Sequence, residues 1–548
     1  MSECQPLPEG CVEALSQPGG HPHDPAATPV IDYIQTHISH LFLTRDRVYK
    51  LRKAVELPFL SFATTARRNA DCLREVELNR RLAPDVYLGV APIQQSADGF
   101  VLGRVQEALQ GAKGAAAFEH CVVMRRLPRD DDALHRLEDG RLEPDQIDAL
   151  AELLADFHAG HSLGRPAPWP EDEWLERVAR PVRDTIALAR SSSNDAIEPD
   201  ILAHCERRMK DILESNRACF LARREAGRVV DGHGDLHLDH VWFEPGRATP
   251  IAIDCIEFDD DLRHVDVAAE LAFLVMDLAY RGRPDLAERV LRRYAAATDD
   301  FALYGVVDYH VAHRALVRAS VASIATDEKE IAAEQRTAAA TSARRHAQLA
   351  ADWLDRRPRP LLIVMAGRVG SGKSTVADEL ADQLEGVVIA SDRVRKHMAG
   401  MSWHDHVKAA PGEGLYDDTQ LDAVYGALLE RAAYVIGSGR AAILDATFSR
   451  RTWRAGVERW AMEHRVPIHL VEARCHEAET LARLARRNQD PERISDAGPE
   501  LYAESLRRWE PLDDWKPEHR SEIWTDRDDW RDSLREVCAQ LDEGGVAA

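Results

Sequence analysis

The sequence predicts two unlike halves, an α+β domain followed by an α/β domain built on a parallel sheet. Three observations carry this. In the first half, short strand-like runs come early and long helical runs come late. At Arg356-Arg-Pro-Arg-Pro360 a charged, helix-breaking hinge interrupts the chain. Beyond it, the buried-strand signature Leu361-Leu-Ile-Val-Met365 opens a regular alternation of strands and helices.

Taken in order, residues 1–28 mix Pro, Gly and His with little periodicity and read as a flexible tail. His40–Thr44 and Val48–Leu51 are strand-like runs around the turn-prone Arg45-Asp46-Arg47. Cys72, Val76 and Leu82 give 67–82 a helical spacing, and Phe118–Met124 is another short apolar run. Helices are expected from Pro144 to His161 and from Glu171 to Arg190. Strand-like runs then bracket a dense polar motif and end in Pro250-Ile-Ala-Ile-Asp254, before a helical stretch from about Asp261 to Leu354. Its Ala-rich end, Glu328 to Leu354, reads as an interdomain strut, with a dimer seam as the alternative. The domain reading is a tail at 1–28, a first domain at 29–340, a helical linker and hinge at 341–360, and a second domain at 361–548.

Composition bounds the function. With 45% hydrophobic and 30% charged residues among 548, the chain is an ordinary globular protein rather than fibrous or disordered. No apolar run approaches the roughly 18 residues of a membrane span, and no basic segment followed by an apolar core opens the chain. The nine cysteines show no CxxC pair or metal spacing, which fits reduced thiols, so a cytoplasmic location is expected. A net charge of −23, acidic in both halves, disfavours long-range attraction to nucleic acid or anionic membrane and favours a cationic substrate. Only nine of the 70 basic residues are lysine, so a lysine at a motif position is informative.

In the second half, Gly367-Arg-Val-Gly-Ser-Gly-Lys373-Ser374 matches GxxxxGK[ST] between a strand and an amphipathic helix. Such glycines let backbone N–H groups converge on phosphate oxygens, and the helix N-terminus adds its dipole. Gly367, Gly370, Ser371, Gly372, Lys373, Ser374 and Thr375 are therefore candidate ATP-binding residues, with Lys373 on the β/γ-phosphates and Ser374 on Mg²⁺. Val387–Ala390 is a second strand ending at Asp392, placed for a general base, with Arg395 three residues on to clamp an acceptor anion. Asp392 as a helix N-cap is the structural alternative. Ala441–Asp445 is a third buried strand, and its terminal Asp445 stands at the Walker B position for Mg²⁺. Arg486 and Arg487, near Asn488 and Arg493, are either a solvated helix or an arginine lid over the transferring phosphoryl.

These residues resemble the small P-loop kinases grouped with polynucleotide kinase and gluconate kinase. Lys373, Ser374, Asp392, Arg395, Asp445 and Arg486/Arg487 match its Walker A, DxxR, Asp-Thr strand end and Arg-rich lid. The resemblance implies that Asp392 is the base and that Arg395 contacts the acceptor. Zeta-toxin-like kinases share the layout.

In the first half, His233-Gly-Asp235-Leu-His237-Leu-Asp-His240 is followed by a hairpin and Asp254. That spacing suits kinase-type phosphoryl transfer, with Asp235 accepting the acceptor's proton and His240 and Asp254 holding Mg²⁺. A metallohydrolase is the competing reading, since His233, Asp235, His237, Asp239 and His240 are all metal-ligand types, and an extended strand would put His233, Asp235 and His237 on one face. The motif resembles the aminoglycoside phosphotransferase loop HGDxHxxN, with His240 in place of the Asn. Imidazole is a poorer Mg²⁺ ligand than an oxygen donor. The resemblance further implies Asp254 as the Asp of the DFG segment, Lys50 (Lys53 as fallback) as the β3 lysine, Glu75 or Glu77 as its partner, and Met124 in the hinge that borders adenine. Thr36 to Ser39 stands where a Gly-rich loop would lie.

Over about residues 30–545 the architecture resembles an uncharacterised bacterial family of fused proteins labelled AAA family ATPases. The expectation is an ATP- and Mg²⁺-dependent phosphotransferase with two nucleotide sites, acting on a hydroxyl of a small molecule. A P-loop kinase or NTPase regulated by a degenerate N-terminal half, and a polynucleotide 5′-hydroxyl kinase, are the alternatives.

Overall fold

The computed structural model describes residues 4–27, 31–57, 60–97, 99–107, 119–191, 196–327, 332–356, 359–401, 405, 418–487 and 500–543. Packing divides the chain into two compact units, Met1–Ala167 with Gly227–Leu274, and Pro168–Ala226 with Val275–Ala548. The hinge at 356–360 therefore separates two styles of sequence and not two packing units.

The first unit is built on a six-stranded sheet. Its strands are β1 (Asp32–Gln35), β2 (Ser39–Leu43), β3 (Arg47–Arg52), β6 (Tyr87–Ser96), β7 (Gly99–Leu102) and β8 (His120–Arg125), with the small pair β4 (Glu56–Leu57) and β5 (Leu60–Ser61) between. The order is β1-β2-β3-β8-β6-β7, antiparallel throughout. β3 and β8 are central, and register pairs Lys50 with Val122 and Val48 with Met124. Helix Thr65–Asn79, N-capped by the Thr64 side chain on Arg67 N–H, packs on β6 and β8 through Cys72 and Val76. Two small antiparallel pairs follow, β9 (Val229–Asp231) with β12 (His264–Asp266), and β10 (Val241–Trp242) with β11 (Ile251–Ala252).

The flexible tail is corrected. Residues 11–15 form a helix whose Cys11 and Leu15 are wholly buried with Phe42, Leu51 and Ile93. Tyr49 donates to Asp24 at 3.0 Å, and His21 Nε2 donates to the Leu15 carbonyl at 2.7 Å. Burying Leu15 alone contributes about 1.5–3 kcal/mol. Proline and glycine break periodicity without preventing burial, so low periodicity misread this segment.

In the second unit a parallel sheet orders as β14-β15-β13-β16-β17, from β13 (Leu361–Ala366), β14 (Val387–Ala390), β15 (Ala441–Asp445), β16 (Ile468–Arg474) and β17 (Arg520–Trp524). β13 and β15 are buried along their whole length, as both faces of a covered parallel sheet require. The chain leaves β13 toward β14 on one side and reaches β16 on the other, so β13 is a switch point whose C-terminal end opens a crevice. The helices Pro284–Thr298, Val307–Asp327 and Ala333–Leu354 belong to the same unit.

The strut reading is also corrected. Helix Ala333–Leu354 turns back along Val307–Asp327 and buries Ala343, Ala347, Ala350 and Leu354, with Trp353 Nε1 donating to Asp308 at 2.7 Å. Its alanines are spaced to let two helices approach closely. Among the described residues no helix is long and apolar enough to cross a membrane.

Candidate functional site

The P-loop joins the end of β13 to helix Lys373–Leu384. Gly367 has φ 146°, and a Cβ there would sit 2.5 Å from the Ala473 carbonyl oxygen, so the loop backbone passes where only glycine fits. Ser371 is buried and its hydroxyl has no hydrogen-bond partner, while its carbonyl accepts from Thr525 Oγ1 at 2.9 Å. A tight backbone cradle at a helix N-terminus, with an unsatisfied hydroxyl inside it, fits phosphate oxygens.

Lys373 Nζ donates to the Arg368 carbonyl at 2.9 Å, so the ammonium lies over the loop. The Ser374 hydroxyl donates to Asp445, which is buried at the end of β15. Burial raises the Asp445 carboxyl, and Lys373 and Ser374 work against that rise. Register sets Asp445 beside Met365 of β13 and Ala390 of β14, so three strand ends meet. Asp392 follows one of them, in the first turn of helix Ser391–Met398, and Arg395 Nη2 holds its Oδ1 at 3.0 Å. The N-cap of that helix is Ala390, so Asp392 is not spent as a cap. Thr375 is exposed one residue past Ser374.

Two residues of this site escaped the sequence reading. Tyr425, on helix Asp418–Gly437, lies 3.2 Å from Thr447 Oγ1, accepts the Phe448 N–H at 3.2 Å and stacks on Trp453. Burial, with the nearby Asp392 charge, pushes its phenol up to about 12, so it stays protonated. Arg483 donates to Thr525 Oγ1 at 2.8 Å and to its carbonyl at 2.9 Å, and so braces the P-loop from behind. A lone Tyr on a helix carries no motif signal, and Arg483 opens the Arg-rich segment 483–493, from which Arg486 and Arg487 were the ones expected to act. Arg486, an expected lid arginine, is exposed and paired with Glu479 on its own helix at 2.7 Å. The side chain of Arg487, and Asn488 and Arg493, lie outside the described residues.

In the first unit the open choices resolve. Lys50 Nζ reaches Glu75 Oε1 at 3.0 Å and Asp254 Oδ1 at 2.8 Å. Lys53 instead donates to the Thr36 carbonyl, in the turn between β1 and β2, and Glu77 is exposed beside Arg74. Arg52, unnoticed in the sequence, is fully buried and donates to Asp71 at 2.6 Å, Glu75 Oε2 at 2.7 Å, Ser39 at 3.0 Å and Glu257. Glu75 thus anchors both cations. Met124 is buried on β8 opposite Val48.

The HGDLHLDH segment is a loop and not the extended strand that alternation would need. Glu270 accepts the N–H groups of His233 and Gly234, the latter at 3.0 Å, and buried His233 donates through Nε2 to the Ile253 carbonyl at 2.8 Å. His233 therefore shapes the loop, and its Nδ1 faces the Asp235 N–H at 3.4 Å. His237 lies between two carboxylates, with Nδ1 on Asp239 and Nε2 3.4 Å from Asp235. Burial opposes its protonation, but the two carboxylates win and raise it to about 9. Burial also opposes ionisation of Asp235, yet His237 and His240 hold that carboxyl well below its usual range. His240 Nδ1 lies 2.9 Å from the Asp235 carbonyl and its Nε2 3.7 Å from Asp254 Oδ2. Asp254 has a left-handed backbone, φ 64°, and its N–H is received by Tyr87 Oη at 3.2 Å. Asp254 can therefore offer one oxygen to Lys50 and the other toward a cation.

Comparison with known proteins finds two family models along the chain, the first of which spans parts of both packing units. The model of a phosphotransferase enzyme family matches residues 44–305, and that of an AAA domain matches 362–512. Uncharacterized proteins of Mycobacterium tuberculosis (Rv2004c in strain H37Rv) and Mycobacterium bovis (Mb2027c) are 32% identical over 454 residues, 83% of this chain and 85% of theirs. The chain belongs to their family. It joins a phosphotransferase domain of kinase-like fold to a P-loop kinase domain with a parallel sheet, and such domains use ATP, usually with Mg²⁺. Among solved structures, a gluconokinase from Sinorhizobium meliloti is 20% identical, with a TM-score of 0.24 over 34% of this chain and 94% of its own. An aminoglycoside phosphotransferase from Alicyclobacillus acidocaldarius is 14% identical, with a TM-score of 0.34 over 64% and 96%. Both likenesses are too low to carry an argument.

Proposed function

We propose that this family member transfers the γ-phosphoryl group of ATP to a hydroxyl of a small molecule, with the P-loop half as the principal catalyst. What supports this is one observation. Lys373, Ser374, Asp445, Asp392 and Arg395 gather at the C-terminal ends of three adjacent parallel strands.

Bound Mg²⁺·ATP supplies the electrophilic phosphoryl group and neutralises its charge. The backbone of 367–373 and the Ser371 hydroxyl bind the phosphates, and Ser374 and Asp445 would hold the metal. Lys373 sets a positive charge against the phosphates. Asp392 accepts the proton of the acceptor hydroxyl, and Arg395 fixes the carboxylate in place and pairs with an anionic acceptor. Tyr425, protonated, walls the acceptor side beside Thr447. In the other half, Lys50 and Asp254 would hold a second nucleotide and its metal, and Asp235 would receive a second acceptor's proton. A small acceptor is preferred over a polynucleotide because the chain carries −23.

A second reading has one observation in its favour. Asp235 is held well below the usual carboxyl range by His237, which makes it a weak base. The N-terminal half would then sense nucleotide and regulate the P-loop half.

One experiment separates the readings. Wild type, Lys373→Ala and Asp235→Asn are incubated with ATP and pooled hydroxylated metabolites, nucleosides, aminoglycosides and 5′-hydroxyl oligonucleotides, and products are read by mass spectrometry. A phosphorylated small molecule lost in Lys373→Ala supports the first reading. ATP hydrolysis without product, lost only in Lys373→Ala, overturns it.

A further inference from the structure

The geometry points to a first-row transition ion, with Mn²⁺ held in preference to Mg²⁺, shared by His240 Nε2 and Asp254 Oδ2 in the N-terminal unit. This deepens the reading of that unit as a nucleotide site and rests on it only for the ion's role, not for its binding.

Three observations carry it. A carbonyl oxygen can only accept, so the 2.9 Å contact between His240 Nδ1 and the Asp235 carbonyl makes Nδ1 the protonated nitrogen. The lone pair of a neutral ring is then on Nε2, and a backbone hydrogen bond on the opposite nitrogen is how ligating histidines are oriented. Next, Nε2 is 3.7 Å from Asp254 Oδ2, while Lys50 occupies Asp254 Oδ1. Two donors each about 2.1 Å from one ion stand between about 3.0 Å (cis) and about 4.2 Å (trans) apart, so the pair lies within reach of a common ion after a shift of a few tenths of an ångström. Last, the donor set is one imidazole and one carboxylate. Mg²⁺ is a hard ion that takes oxygen, whereas imidazole nitrogen favours transition ions over it.

The neighbouring cluster Asp235, His237, His240 brings ligand-type atoms within 4.8 Å of one another. It is the poorer centre, because both ring nitrogens of His237 already face carboxylates, Asp239 and Asp235.

The test uses the full chain carrying Lys373→Ala and Ser374→Ala, so that the P-loop contributes no metal signal. Mn²⁺ alone is titrated by electron paramagnetic resonance, competed with Mg²⁺, and examined for nitrogen hyperfine coupling by electron spin echo. Mn²⁺ is expected to bind with a ¹⁴N coupling from imidazole. Adding His240→Asn should remove the coupling and lower the Mg²⁺ excess needed for displacement by at least about tenfold. His237→Asn should keep the coupling. No Mn²⁺ binding, or binding without nitrogen coupling, overturns the proposal in the parent chain itself, whatever the folding of the variants. Coupling that survives His240→Asn and disappears in His237→Asn overturns it in favour of the neighbouring cluster. Calorimetry with AMP-PNP on the same chain tests the nucleotide reading separately. A chain that binds Mn²⁺ through His240 but no nucleotide fails that reading and leaves the ion site standing.

Discussion

Arg440 and Glu288 stand 152 residues apart in the chain and meet through two hydrogen bonds of 2.8 and 3.0 Å, with both side chains buried. Glu288 lies on helix Pro284–Thr298, inside the phosphotransferase match, and Arg440 immediately precedes β15 of the P-loop sheet. Arg440 also donates to Asp308 at 2.7 and 2.9 Å, and Arg356 adds a second guanidinium to Glu288. Truncating Glu288 takes a buried carboxylate from two guanidiniums and leaves Arg440 on Asp308 and Arg356 on Glu385. Glu288→Ala is expected to cost about 1–3 kcal/mol, read from urea unfolding, and more than Glu288→Gln.

The same pair sets an acid limit. Burial opposes ionisation of Glu288, but Arg440 and Arg356 hold its carboxyl at about 2, below the ordinary 4.5. A depressed carboxyl stabilises the fold above its unfolded value, and that contribution disappears as pH falls from 4.5 toward 2. The shift corresponds to roughly 3 kcal/mol. Unfolding free energy measured between pH 6 and 3 should therefore fall less steeply in Glu288→Gln than in wild type. Parallel curves would refute the assignment.

Lys50 is predicted to matter where Lys53 does not. Lys50→Met leaves Glu75 still paired with Arg52 but takes the cation from Asp254. In a Lys373→Ala background, affinity for a fluorescent ATP analogue should fall at least about tenfold for Lys50→Met and stay within twofold for Lys53→Met, roughly 1.4 against 0.4 kcal/mol.

Asp392→Asn keeps the size of the side chain and removes the base. Turnover by the P-loop half should fall about 10²–10⁴-fold with the KM for ATP little changed. Arg395→Lys loses the planar fork and should raise the acceptor KM more than it lowers kcat. A rise in the KM for ATP in Asp392→Asn would place that residue on the nucleotide instead.

Gly367→Ala adds a Cβ that meets the Ala473 carbonyl oxygen at 2.5 Å and the Ser371 hydroxyl at 2.7 Å, on a backbone with φ 146°. The expected cost is about 1–3 kcal/mol of stability together with loss of nucleotide binding by the P-loop half, measured by thermal melts with and without ATP. An ATP-induced rise in Tm equal to that of wild type, in a Lys50→Met background, would show that the cradle tolerates the methyl.

How much of this was readable in advance varied with how local the signal is. The P-loop, Asp392, Asp445 and Asp235 sit on short motifs beside strands, and each strand was found. Glu75 was readable too, since it shares a helical face with Cys72 and Val76 while Glu77 points away, but spacing from Lys50 alone left both open. Arg52, Tyr425, Arg483 and Arg440 were not readable. The partners that place them at their sites are 13 to 205 residues away, and nothing in a neighbouring residue announces them. The N-terminal segment failed for a different reason. Its helix is five residues long, too short for a period to show, and tertiary burial of Cys11 and Leu15 holds it in place.

The Arg440–Glu288 lock has an evolutionary consequence. Joining two genes end to end normally yields parts that can be exchanged again by recombination. Here a crossover in the hinge would inherit an acid without its guanidinium, or the reverse, and each hybrid would begin life about 1–3 kcal/mol poorer. The two halves are thereby tied to be inherited together, and a homologue lacking one half is expected also to lack the charge that answers it.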